Sequence, residues 1–177
     1  MGYDLDSTPL GQVPDGTALL LTGPDSSTRR TALDLLAGGE EAVAVVATAA
    51  DPAATGSALR RAGARLDPGR LALVDATGVG SPEPYVASVP TPADLTAASA
   101  RLAECFEGFE RERYRLGVVS LTDVLGYSGL DPTVRFVGTL RERVASEDGL
   151  LLATFDPAVD DGALPALSQG FDETLSV

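Results

Sequence analysis

Five short runs of this chain are apolar without alternation: Ala18–Thr22, Ala42–Ala47, Leu71–Asp75, Leu116–Leu121 and Leu150–Phe155. A strand with one wet face alternates polar and apolar residues. A run without alternation is covered on both faces, the condition of a parallel sheet held between two helical layers. The segments between the runs are long enough for crossover helices and carry helical spacing, with Ala32, Leu33 and Leu36 on one face and Ala58, Leu59 and Ala62 on another. The pattern predicts an α/β chain, a single three-layer αβα domain with a mostly parallel central sheet.

Local punctuation places the helices. Ser26 or Ser27 is positioned to cap the first, which Gly38–Gly39 stops, and Asp51 caps the second with Pro52 at its first position. From Asp94 to about Arg113, Leu95, Ala98, Leu102, Cys105, Phe106 and Phe109 share one side. Glu104, Glu107, Glu110 and Glu112 form the wet side with Arg101, Arg111, Arg113 and Arg115. A turn-rich piece at Gly126–Gly129 leads to a helix capped at Asp131, with Val134, Val137, Leu140 and Val144 inward. A short helix around Leu164–Leu167 and an edge strand at Glu173–Val177 complete the chain. Residues 1–16 are polar and hold Pro14 and Gly16, which suits an N-terminal lead-in that is a candidate for disorder, ahead of a domain at 17–177. Val79–Pro92 carries four prolines and is too long for a simple connector, so it is either a binding element or a mobile flap.

Composition removes several function classes. The 177 residues contain no His, which excludes Ser-His-Asp and Cys-His mechanisms, and Cys105 is the single cysteine, so there is no internal disulfide. Acidic residues number 26 against 13 basic ones, all Arg, for a net charge of −13. A field of that sign repels nucleic-acid phosphates and anionic lipids, so neither is an expected partner. The acid is spread along the chain among Ala, Gly and Thr, a composition that resembles proteins of salt-in halophilic archaea, where screening makes such charge tolerable. No run is long and apolar enough to span a bilayer, and the N-terminus lacks signal-peptide character, so a cytoplasmic location is expected.

The first apolar run ends at Gly23-Pro24, a polar loop follows, and a hydroxyl residue precedes a helix, the order of a phosphate-binding loop. The residues depart from that chemistry. In the pattern G-x-x-x-x-G-K-[ST], Thr28 falls at the second Gly, Arg29 at the Lys and Arg30 at the hydroxyl residue. A one-residue slip would make Arg30-Thr31 the Lys-Thr pair, in a longer loop than the pattern allows. Gly23, Thr28, Arg29, Arg30 and Thr31 are therefore the candidate binding residues of a degenerate phosphate loop, with no catalytic residue and no metal ligand assigned.

From about residue 17 onward, the chain resembles the KaiC-like branch of the RecA superfamily of P-loop ATPases, and more narrowly the small haloarchaeal proteins often called HTR-like. The resemblance is carried by Leu20-Leu21-Thr22-Gly23-Pro24, by Val46-Ala47-Thr48 with Pro52, by Leu73-Val74-Asp75-Ala76, by Val118-Val119-Ser120-Leu121-Thr122, and by the stretches Arg135-Phe136-Val137 and Arg143 to Gly149. It implies the RecA/KaiC-like fold and an association with ATP-driven regulation and signalling. It also implies a Glu pair after the second strand, where this chain has Ala49-Ala50, and a metal-holding acid at the position of Val119; neither Ala nor Val accepts a proton or holds a metal through water. Asp51 and Asp123 lie nearby, but as a helix cap and a turn residue. Arg135, Arg141 and Arg143 read as a solvated helix face rather than an arginine finger, and Tyr127 as a packing residue. The expectation is a catalytically inactive domain, without cofactor, acting through a protein partner or as a homo-oligomer. The alternative is a switch or weak ATPase that binds ATP with Mg.

Overall fold

The computed structural model describes residues 1–110 and 112–177. Arg111, placed above on the wet side of a helix, lies outside the described residues. Seven strands form the central sheet: β3 (Ala18–Thr22), β4 (Ala42–Ala47), β5 (Leu71–Asp75), β6 (Val86–Ser88), β7 (Tyr114–Val119), β8 (Leu150–Phe155) and β9 (Glu173–Ser176). Their spatial order is β6-β5-β4-β7-β8-β3-β9, with every ladder parallel. The expected α/β fold with its parallel sheet is present.

Each apolar strand sends alternate residues to opposite faces, and the two faces carry two cores. Leu19, Leu21, Val43, Val45, Leu71 and Leu73 pack under α1 (Asp25–Ala37) and α2 (Pro52–Arg61) through Leu33, Leu36 and Leu59. Leu20, Ala44, Val46, Val74, Leu116, Val118 and Leu151 pack under α3 (Leu95–Glu107), α4 (Leu121–Ser128), α5 (Leu130–Ser146) and α6 (Leu164–Ser168) through Leu102, Val124, Leu140 and Leu167. At Gly117 a Cβ would stand 2.4 Å from Leu36 Cδ1, so α1 lies directly on β7.

Several local expectations change. Residues 1–16 are not a loose lead-in but contain a hairpin, β1 (Gly2–Leu5) with β2 (Gly11–Pro14), which buries Tyr3, Leu5 and Val13. Its inward residues alternate with polar ones, which makes the stretch look hydrophilic. The proline-rich segment supplies β6, an edge strand, rather than a free flap throughout. The long helix from Asp94 ends at Glu107, with Gly108 at its C-cap, and Arg113 and Arg115 leave the wet side: Arg113 flanks β7 and Arg115 is buried within it. The piece at 121–128 is a helix, because the Ser120 hydroxyl accepts from the Asp123 N–H and Leu121 and Val124 are buried. The next helix starts at Leu130 without a side-chain cap, and Val134 stays partly exposed on it. Among the described residues no helix is long and apolar enough to cross a membrane.

Candidate functional site

In a parallel sheet of this kind, ligands sit outside the carboxyl ends of the strands. Here the segment after β3 is decisive. Strand β3 ends at Thr22, and α1 begins at Asp25, so the connection is Gly23-Pro24 alone. Gly23 has φ of 149° and donates its N–H to Phe155 O at 3.2 Å; a Cβ there would meet Val177 O at 2.5 Å. Only glycine fits that conformation and that approach. The expected side-chain cap from Ser26 or Ser27 is absent, since both residues lie inside the helix and Pro24 occupies the cap position.

The other candidate residues follow from this early start. Thr28 is fully buried, and its hydroxyl donates to Pro24 O and Asp25 O, each at 3.1 Å. Arg29 pairs with Asp25 one turn back along the same helix. Arg30 is exposed and Thr31 half-buried in the second turn. At a rise of about 1.5 Å per residue, Arg30 lies about 7.5 Å beyond Asp25 along the axis, so the arginines flank the helix rather than the loop. The five candidates are thus sequence neighbours that do not converge on one point. Residues 25–31, being helical, cannot wrap their N–H groups around a phosphate, and the helix dipole is met by the Asp25 carboxylate.

Beside this terminus is a cleft of about 390 Å³ lined by Asp25, Thr122, Asp123, Tyr127, Asp156 and Val159. It brings three carboxylates together beside the start of α1, a field that repels an anionic ligand. Tyr127, expected to pack, is 63% exposed at the rim. Asp123 accepts from the Thr48 hydroxyl at 2.9 Å, and Thr48 Oγ1 accepts the Ser120 N–H, also at 2.9 Å. Through Ser120 and Asp123, Thr48 ties the end of β4 to the end of β7 and the first turn of α4. Ala49 is exposed beside it, Asp51 caps α2 by accepting from the Ala54 N–H at 2.7 Å, and Val119 is buried in the core beneath α1. Asp75, fully buried at the end of β5, accepts from Thr77 N, Thr77 Oγ1 and Gly80 N at 2.9, 2.5 and 2.8 Å, and so shapes the turn that follows. Neither Asp25 as the residue meeting the helix dipole nor Thr48 as the tether stands out in the sequence. The only local signal is an acid directly after Gly-Pro.

Arg135, Arg141 and Arg143 lie in separate places. Arg141 pairs with Asp172 at 2.6 Å, Arg143 with Glu147 at 3.3 Å, and Arg135 lines a groove between α3 and α5. Cys105 is half-buried, and burial pushes its thiol up from the ordinary value. No group of His, Cys, Asp or Glu among the described residues is placed to hold a metal ion. The geometry after β3 does not fit ATP with Mg.

Residues 16–177 match the profile of a family of unknown function, DUF7504. The chain belongs to that family. The fold is similar to that of solved structures: the Pyrococcus horikoshii OT3 protein PH0250 superposes with a TM-score of 0.63 at 11% identity, over 93% of this chain and 83% of its own. The KaiC-like protein PH0186 of the same organism superposes with a TM-score of 0.59 at 13% identity, over 88% of this chain and 68% of its own. No curated protein matches this DUF7504 chain.

Proposed function

We propose that this chain is a KaiC-fold protein that does not turn over ATP and acts through protein contact, as a regulatory or scaffold component in signalling. The observation that carries the reading is the two-residue connection Gly23-Pro24, which leaves no backbone loop for a phosphate. The Thr28 hydroxyl is already satisfied by backbone carbonyls, and Arg29 by Asp25. With Ala49-Ala50 and Val119 at the positions where the resemblance implies the water-activating and metal-holding acids, three independent parts of the reaction are missing. The reading extends to the haloarchaeal HTR-like type and a cytoplasmic, high-salt setting, supported by the motifs and the charge.

Calorimetry with ATP and magnesium in molar KCl tests it. The expected outcome is no measurable heat and no phosphate release. Binding tighter than millimolar that Arg29→Ala abolishes would replace this reading with a nucleotide-binding switch.

A further inference from the structure

The arginines that the motif reading assigned to phosphate border a different feature. Between α1 and α2 runs a groove of about 450 Å³ lined by Arg29, Arg30, Leu33, Ala58, Arg61 and Ala62, with Ser26 and Asp34 at its margin. Its floor is apolar: Leu33 from α1 and Ala58 and Ala62 from α2. On α1, Arg30, Leu33 and Asp34 stand at i, i+3 and i+4; Ala58 and Arg61 of α2, with Ala62 at its C-cap, repeat that spacing. Each helix thus turns one continuous stripe to the groove.

The rim charge is opposite to that of the molecule. Acids outnumber bases 26 to 13 over the whole chain, yet three arginines face one aspartate here. Arg30 and Arg61 are both exposed, and neither has an ion-pair or hydrogen-bond partner among the described residues, although carboxylates are abundant elsewhere. Arg29 spends its Nη2 on Asp25, and its Nε–H has no acceptor among the described residues. Unpaired guanidiniums above an apolar floor suit a ligand that brings carboxylates and apolar side chains together, arranged as in helix-in-groove recognition. A nucleotide's phosphates would need backbone donors, which the sides of these two helices do not offer.

We propose that the α1–α2 groove docks an acidic amphipathic helix of a partner protein, its apolar residues on Leu33, Ala58 and Ala62 and its carboxylates on Arg30 and Arg61. The proposal rests on the reading of the chain as a contact protein. The probe is a short fluorescein-labelled helix of Leu, Ala and Glu, with a Leu, Ala and Lys version as its counterpart. Both are titrated by anisotropy at the lowest KCl concentration at which the near-UV circular dichroism is native. The Glu peptide is expected to bind, the Lys peptide to fail, and Arg30→Glu with Arg61→Glu to weaken binding by about tenfold or more, while Arg135→Glu leaves it unchanged. If the reversed pair disturbs the fold, Arg30→Gln with Arg61→Gln gives the same reading with less perturbation.

Absent binding, equal binding of the two peptides, or indifference to the double variant overturns the proposal. Displacement of the Glu peptide by ATP overturns it in favour of a phosphate site. A dimer in light scattering that the double variant dissolves overturns it in favour of a second copy of this chain. A failed peptide titration alongside silent ATP calorimetry rejects this groove alone; ATP binding with peptide binding intact rejects only the inactive-ATPase reading.

Discussion

Arg115 is a guanidinium only 2% exposed, whereas the other arginines among the described residues reach water. It donates Nη1 to Leu35 O at 2.6 Å, Nε to Glu41 Oε2 at 3.1 Å and Nη2 to Asp4 O at 3.4 Å, so one side chain joins α1, the start of β4 and the hairpin. Removing one partner of a buried pair costs more than the pair itself contributes, because the other charge stays desolvated. Glu41 retains Arg113 at 3.7 Å, which moderates the effect. Arg115→Met is expected to lower stability by about 3 kcal/mol, measured as a fall in the urea midpoint at constant slope. The same logic governs part of the candidate site, where Thr28 is committed to carbonyls, Arg29 to Asp25 and Asp123 to Thr48, while Arg30 stays unpaired among the described residues.

At the scale of the element, the hairpin β1–β2 closes the amino ends of the strands, opposite the candidate site. Tyr3 donates its hydroxyl to Asp148 O at 2.7 Å and lies within 3.1 Å of Tyr114 O, while the Arg113 guanidinium lies 4.2 Å over its ring. Burial pushes the Tyr3 phenol up to about 12, against the pull of Arg113, and burial with the Glu147 acceptor pushes Tyr114 up as well. The folded state therefore holds these protons more tightly than the unfolded chain. The contribution of Tyr3 to stability is complete below about pH 10 and is lost as pH rises toward about 12, and that of Tyr114 persists beyond it. Tyr3→Phe should cost about 1 kcal/mol at neutral pH, with the gap to wild type narrowing across that alkaline window, since phenylalanine cannot ionise in either state. Chemical unfolding at stepped pH, followed by tyrosine absorbance, checks both parts. Nothing local announces this element, because only alternate residues of two four-residue strands turn inward.

For the whole molecule, charge outweighs pairing. The eight ion pairs among the described residues are mostly part-exposed and worth roughly 0 to 1 kcal/mol each. The net −13 is repulsion that salt screens, the Debye length falling from about 10 Å at 0.1 M to about 3 Å at 1 M. The thermal midpoint is therefore expected to rise between those KCl concentrations, and a flat or falling midpoint would count against a high-salt setting. The sequence by itself determined the parallel sheet, its two helical layers and the Asp51 cap, because all-apolar runs and cap residues act through their immediate neighbours. It also showed that the loop chemistry after β3 was altered. Only the tertiary structure decided that the loop itself is missing, that Thr48 holds Asp123, that Arg115 is buried and that Arg30 and Arg61 share one groove. Each of these depends on where a distant segment comes to rest: β8 and the chain end against Gly23, β7 against β4, the hairpin against β7, α2 against α1. Neighbouring residues do not encode those placements; the packing of the whole sheet does.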